Sequence, residues 1–230
     1  AKEIRARITR QEETHLTSVQ PVNKEAHDLY LRGNFFMRKA DQESLNRALA
    51  YFRQALDKDP NYALPYAGIA NTYSYLADAY LPPKDAYSKA KAAALKALEL
   101  DSTIAEARAV LAFILGQHEW DPTSAEREFQ RAVASNPNSG DTRMLYAFSL
   151  SSHLNHSEAL SQLDHAISVD PLSPVASWAK EWILLWARQY DRVIEQHRRT
   201  SELEPNFFYM DSFVGAAYRE KGMFKEALDE

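Results

Sequence analysis

The hydrophobic positions of the chain recur at a helical spacing. From Ala90 to Leu100, apolar residues follow one another at intervals of three and four, and almost every residue favours a helix. Start signals agree, because Asp121-Pro122 and Ser173-Pro174 each place a capping side chain before a proline at the first helical position. No stretch alternates apolar and polar residues convincingly, and no Asn-Gly or Asp-Gly hairpin signal occurs. The pattern predicts an all-α chain.

One pattern of residue types occurs five times along the chain. It begins with a small or β-branched residue, which is usually followed four positions later by a larger residue and three positions after that by a small one. An acidic or amide residue and usually proline end the pattern. The copies end at Pro60, Ser102, Pro137, Pro171 and Pro205, which are 42, 35, 34 and 34 residues apart. A fixed period in this range predicts stacked units of helix, short turn and helix.

These units resemble the tetratricopeptide repeat, a helical pair of about 34 residues. Its motif has large residues at positions 4, 7, 11 and 24, small residues at 8, 20 and 27, and proline at 32. The resemblance implies a right-handed superhelix, an α-α solenoid with a concave side. It divides the chain into a helix tail with a linker (1–23) and an array (24–230), with units at 24–60, 61–102, 103–137, 138–171, 172–205 and a partial 206–230.

The second and fifth units depart most from the regular length or pattern. The second has eight extra residues between Ala70 and Ala90, so we expect it to have the longest helices or the longest turn. The fifth has Glu181, His197 and Thr200 where the motif has a small, a large and a small residue. Because an unpaired buried carboxylate is costly, we predict that Glu181 and His197 approach each other.

A narrower resemblance concerns the protein from which such an array comes. The stretches PVNKEAHDLYLRGNFF, PNYALPYAGIANTY and EWDPTSAEREFQRAV are similar to the tetratricopeptide arms of multidomain bacterial regulators, over residues 16–230. In that family the arm follows winged-helix DNA-binding, protein kinase or cyclase-type modules. The array also breaks off at Glu230 without a polar capping helix. We therefore expect a piece of a longer protein. We also expect the last helix pair to leave Val214, Tyr218 and Leu228 on a face with no neighbouring repeat to cover it, which would support a homodimer.

Three tryptophans lie on one face of the first helix of the fifth unit. In tetratricopeptide arrays, positions 2, 5, 9, 12 and 13 of the first helix line the concave groove. By this register, the partner-binding groove consists of Tyr30, Asn34, Tyr75, Phe113, Met144, Phe148, Trp178, Trp182, Leu185 and Trp186. The competing interpretation makes the tryptophans core residues. The core positions of the same helix hold Ser177, Lys180 and Glu181, which are poor core residues and favour the groove.

Candidate chemistry is sparse. Glu181 and His197 could form an acid–base dyad, but without a nucleophile a buried hydrogen bond is the better interpretation. His153 and His156 lie in an expected inter-helix turn, without carboxylates at metal-ligand spacing. There is no Cys and no Gly-rich phosphate loop. The sequence predicts no catalytic residues, no metal site and no cofactor.

Composition and charge restrict the partners. The net charge of −5 has interspersed signs and gives no basic stripe for nucleic acid. The longest apolar runs are far shorter than the ~20 residues that span a membrane. Without Cys or an apolar signal-peptide core, we expect a cytoplasmic protein. The partner is therefore expected to be a protein or peptide.

One partner class can be tested directly on the repeat register. Co-chaperones that bind acidic C-termini use a clamp of basic and amide residues at fixed positions. Those positions hold Tyr30, Asn34, Gly68, Glu106 and Val110. Only Asn34 matches, and the cations are missing, which disfavours an acidic partner.

The resulting function is a protein-interaction scaffold that binds a partner segment in an apolar groove. One alternative is a regulatory arm of a larger bacterial signalling or transcription protein, packed on its own neighbouring domain. A further alternative is an accessory arm of an enzyme such as a glycosyltransferase, which requires a catalytic domain beyond Glu230.

Overall fold

The computed structural model describes residues 23–203 and 211–229. In these ranges every regular element is a helix, in the order α1 Lys24–Met37, α2 Gln42–Lys58, α3 Ala63–Ala79, α4 Pro83–Leu100, α5 Ala105–Gln117, α6 Pro122–Ser135, α7 Gly140–Ser152, α8 His156–Val169, α9 Pro174–Trp186, α10 Tyr190–Leu203, α11 Asp211–Glu220 and α12 Glu226–Asp229. The prediction of an all-α chain is confirmed. The predicted helix tail and linker, apart from residue 23, lie outside the described residues.

Polar side chains begin many of the helices. The Asp121 carboxylate accepts a hydrogen bond from the backbone N–H of Ser124 at 3.0 Å, and the Ser173 hydroxyl accepts one from Ala176 at 3.3 Å. Asn23, Asp41, Ser139 and Asn155 cap α1, α2, α7 and α8 in the same way. Each cap satisfies a backbone donor that has no partner inside the helix, so the Asp-Pro and Ser-Pro signals mark true helix starts.

The helices stack as antiparallel pairs whose first members form an inner layer. Within each unit the two helices pack together, and each first helix also contacts the first helix of the next unit, in the series α1, α3, α5, α7, α9 and α11. Consecutive second helices of the described chain make no comparable contacts. The first helices are thus closer together than the second helices, and they line the concave side of the superhelix.

The extra residues of the second unit extend its helices. Helices α3 and α4 have 17 and 18 residues, whereas the pairs from α5 to α10 have 13 and 14 residues each. The expectation about this unit is confirmed. None of the described helices combines the length and the apolar character needed to cross a membrane.

The first two units interlock around a phenylalanine. Phe52 of α2 is fully buried, and its ring lies against Gly33 of α1 and Gly68 of α3. A Cβ atom at Gly33 would lie 2.4 Å from the ring, and one at Gly68 would lie 2.5 Å from it. Glycine normally weakens a helix interior, so its presence at both positions is explained by this close approach.

We expect Gly33→Ala and Gly68→Ala to destabilise the chain by about 1–3 kcal/mol each, because the added methyl group overpacks Phe52. Gly140→Ala is the matched control, since a Cβ atom there meets nothing within 4 Å. That control should be neutral or more stable. Urea unfolding of the three variants measures the differences, and equal stability of all three would contradict the interlock.

Candidate functional site

An aromatic cavity of about 240 Å³ opens on the concave side of the array. Its walls come from α3, α5, α7, α9 and α11, which belong to five successive units. We call this site the aromatic cavity and define it by Tyr75, Phe113, Met144, Phe148, Trp178, Trp182 and Phe213. The first six of these are among the ten groove residues predicted from the sequence.

The rings of the aromatic cavity hold one another in place. Trp182 lies 4.8 Å from Phe148 and 5.6 Å from Trp178, measured between ring centroids. Phe213 stacks on Trp182 at 5.9 Å with an interplanar angle of 17°. Tilted and stacked rings at these separations attract one another. The cavity is therefore formed before any ligand enters.

The two faces of α9 are cleanly divided. Ser177 and Glu181 are only 2% and 1% exposed and lie on the core face, whereas Trp178 and Trp182 are half-buried and line the cavity. Trp186 is 51% exposed. The polar residues thus occupy the core positions that the repeat register assigns to them, and the tryptophans face the concave side.

Four predicted groove residues lie elsewhere. Tyr30 packs against Phe52 and Tyr62, with centroid distances of 6.0 and 5.6 Å, so it belongs to a small core cluster between the first two units. Burial raises the pKa of Tyr30, and a hydrogen bond with Asn34 opposes that shift. Trp186 lines a neighbouring depression that it shares with Phe113, Phe148 and Trp182. Leu185 lies with Trp186 beside a separate depression near α11.

Sequence reasoning missed five lining residues of the cavity, namely Asn71, Ser74, Leu145, Val175 and Phe213. Val175, Asn71 and Ser74 occupy the groove positions 2, 9 and 12 of their units, so the register could have found them. Leu145 and Phe213 sit at position 6, which the groove rule does not include. They enter the cavity because of the curvature of the superhelix.

An acidic pocket of about 280 Å³ adjoins the aromatic cavity and shares Met144 and Val175 with it. Its charged residues are Arg38, Glu106, Asp141 and Asp170. We call it the acidic pocket. Arg38 approaches Asp170 at 3.9 Å, although the two residues belong to the first and fourth units. The curvature of the array therefore brings distant units to a common site.

The acidic side chains of this pocket have mostly neutral partners. Glu106 accepts hydrogen bonds from the Ser139 hydroxyl at 2.7 Å and from the Asn136 amide at 3.4 Å. Asp141 accepts one from the Asn71 amide at 3.4 Å. Burial raises the pKa of Asp141, with Arg38 opposing the shift and Glu106 adding to it. The pocket holds a carboxylate in surroundings that disfavour its negative charge.

The fifth unit contains a buried polar network. The Glu181 carboxylate lies 3.1 Å from Nδ1 of His197 and accepts a hydrogen bond from the Thr200 hydroxyl. All three side chains are buried. The prediction that Glu181 and His197 approach each other is confirmed.

Ser201 extends this network without turning it into a nucleophilic site. Its hydroxyl oxygen lies 3.3 Å from Nε2 of His197, so the three residues follow the order of a Ser-His-Glu triad. The hydroxyl of Ser201, however, donates to the carbonyl oxygen of His197 at 2.9 Å within α10. Its proton is therefore engaged by the backbone, and the geometry favours a structural role. Among the described residues, no group of three His, Asp or Glu side chains could hold a metal ion.

The C-terminal end is only partly as expected. Val214 is buried because α11 packs on α9 and α10, so its assignment to an uncovered face is wrong. Tyr218 is half-buried, and Leu228 is 87% exposed. Self-association through this end stays a prediction.

Comparisons of the sequence with known proteins find relatives among bacterial transcriptional regulators. No protein-family model matches the chain. The chain is 29% identical over 181 residues to the transcriptional regulator HilA of Salmonella typhimurium. The matched region covers 77% of this chain and 32% of that protein. The regulator of the same name from Salmonella typhi matches over the same shares. The chain thus spans about a third of the length of these curated relatives.

Solved structures show the fold. The tetratricopeptide protein TTC0263 of Thermus thermophilus superposes with a TM-score of 0.65 at 14% identity, covering 84% of this chain and 99% of that one. Human IFIT1, solved as a dimer with PPP-AAAA, superposes with a TM-score of 0.69 at 19% identity, covering 82% of this chain and 45% of that one. The chain has the fold of the tetratricopeptide-repeat proteins, a right-handed α-α superhelix.

We expect His197→Ala to destabilise the chain by about 3–5 kcal/mol, because it leaves Glu181 buried without its main partner. The double variant Glu181→Ala/His197→Leu should recover most of this loss. It installs the residue types that Ala147 and Leu163 supply at the same positions of the fourth unit, where both are fully buried. Chemical unfolding of both variants tests this, and equal losses would show that the network is not coupled.

We expect Asp141→Asn to raise the melting temperature at pH 7, because burial disfavours the charged carboxylate. A raised pKa in the folded state means that the penalty is present at neutral pH and fades as the pH falls toward the ordinary value of 3.8. Melting curves between about pH 8 and about pH 4 should show the difference between variant and wild type shrinking. A variant less stable than wild type at pH 7 contradicts this account.

Proposed function

We propose that this chain is a non-catalytic protein-interaction scaffold that binds a peptide or a partner segment in the aromatic cavity. The observation that supports this is a preformed aromatic site with walls from five successive units on the concave side. An exposed apolar surface of this kind usually marks a binding site.

The size of the cavity favours a side-chain anchor over a small-molecule ligand. Its volume of about 240 Å³ is below the range of roughly 300–1,000 Å³ that is usual for small-molecule sites. The neighbouring depression continues it past Trp182 toward the exposed Trp186. A bulky side chain fits the cavity while the rest of a segment follows the concave side.

Binding energy at such sites is concentrated in a few aromatic residues. Trp182 contacts Phe148, Trp178, Trp186 and Phe213, so it is the centre of the aromatic set. We assign it the main anchoring role. The remaining predicted groove residues, Tyr30, Asn34 and Leu185, stay outside the proposed contact.

The similarity to a transcriptional regulator favours a second role for the same surface. We propose that the array (24–230) is the regulatory arm of a larger bacterial protein, joined to other modules through residues 1–23, and that it works in the cytoplasm. In that arrangement the aromatic cavity takes a segment of the neighbouring domain. Binding within one chain benefits from a high effective concentration.

We expect Trp182→Ala to weaken peptide binding by about thirtyfold, which corresponds to roughly 2 kcal/mol. Peptides selected on the wild-type chain from a random display library serve as probes. Trp120→Ala is the matched control, because Trp120 is 84% exposed and lies outside the cavity.

Melting temperatures separate binding from folding in this experiment. Trp182 is half-buried, so its replacement should lower the melting temperature less than a core substitution does. Lost binding with a retained fold supports the proposal. Binding lost only through unfolding, or lost equally in Trp120→Ala, contradicts it.

A further inference from the structure

We propose that the concave site selects segments in which a basic side chain lies next to a bulky apolar one. This inference rests on the proposed function and names the chemistry of its partner. The observation behind it is that the aromatic cavity and the acidic pocket share the walls formed by Met144 and Val175. A segment anchored in the aromatic cavity can therefore place a neighbouring side chain in the acidic pocket.

The acidic pocket has an excess of negative charge. It contains three carboxylates, Glu106, Asp141 and Asp170, against the single cation Arg38, which gives a formal charge of −3 + 1 = −2. Among the described residues, no cation lies within salt-bridge distance of Glu106 or Asp141. Their hydrogen-bond donors are the neutral side chains of Ser139, Asn136 and Asn71.

A ligand cation would improve this arrangement. Charge-assisted hydrogen bonds from Lys or Arg are about twice as strong as those from neutral donors. The one cation of the pocket is weakly held, since the Arg38 side chain is 72% exposed and lies 3.9 Å from the Asp170 carboxylate. The chain as a whole is also acidic, with a net charge of −5, which favours the approach of a basic segment.

The same charges act against acidic partners. A carboxylate brought into the acidic pocket would meet the like charges of Glu106 and Asp141. Repulsion of like charges gives the site specificity as well as affinity.

The shared wall also limits the spacing along the ligand. An extended chain advances about 3.3–3.6 Å per residue, and two adjoining sites are within reach of neighbouring side chains. The basic residue should therefore lie one to three positions from the apolar anchor. Arg is expected to exceed Lys, because its planar group can bond two carboxylate oxygens at once.

Three fluorescein-labelled peptides in a Ser/Gly background test this chemistry. The first has the core Leu-Leu-Ser-Arg-Arg, the second replaces the arginines by glutamates, and the third replaces the leucines by serines. Fluorescence anisotropy with the full chain should give at least roughly tenfold tighter binding of the first peptide than of either other. The advantage over the glutamate peptide should shrink when salt rises from about 50 to about 500 mM.

Variants of the chain locate the effect. Glu106→Gln/Asp141→Asn should abolish the preference for arginine over glutamate and keep the preference for leucine. Glu43→Gln/Glu99→Gln is the matched control, because both carboxylates are exposed and lie outside both sites. Melting temperatures of both double variants confirm that they fold.

The outcomes separate this inference from the proposed function. Equal or tighter binding of the glutamate peptide overturns the basic-segment specificity while leaving a peptide-binding groove intact. Display-selected peptides that depend on Trp182 but contain no basic residue overturn it as well. Selection that yields no Trp182-dependent peptide at all overturns the proposed function itself.

Discussion

Close approach of paired helices at small side chains is the constraint on which the rest of the structure depends. Where the helices of a pair cross, the chain has Gly33, Ala70, Ala112 and Ala147 on the first helices and Ala48, Ala90, Ala125 and Ala159 on the second. All are essentially buried. Because the small residues leave room there, large residues such as Phe52 and Phe129 are fully buried between the helices.

The fifth unit shows that this constraint can be met with polar chemistry. Glu181 replaces a small residue and His197 a large one, yet the helices still pair because the two side chains bond each other. Thr200 supplies the second donor to the carboxylate. A buried carboxyl group that would destabilise the core without partners becomes part of a satisfied network. The departures from the motif are therefore coupled to one another.

The sequence predicts the fold closely because its signals are local. The period, the caps at Asp121 and Ser173, and the long second pair all depend on residues near each other in the chain. The site is less predictable. The repeat register predicts that Trp182 and Phe148 line the groove. The position of Phe213 and the approach of Arg38 to Asp170 depend instead on superhelical curvature, which is the sum of small rotations over several units. Tyr30 lies outside the aromatic cavity, because it packs against Phe52 and Tyr62.

One cavity with walls from five consecutive units gives the array a mechanical property. Tyr75 and Phe213 lie at opposite ends of this set of units, so a change in the pitch of the superhelix would change the width of the cavity. An occupant then acts as a strut that fixes the pitch, and a force that stretches the coil pulls the walls away from the occupant. In a longer protein, tension between the flanking segments would then weaken binding in the cavity, and binding in the cavity would resist that tension.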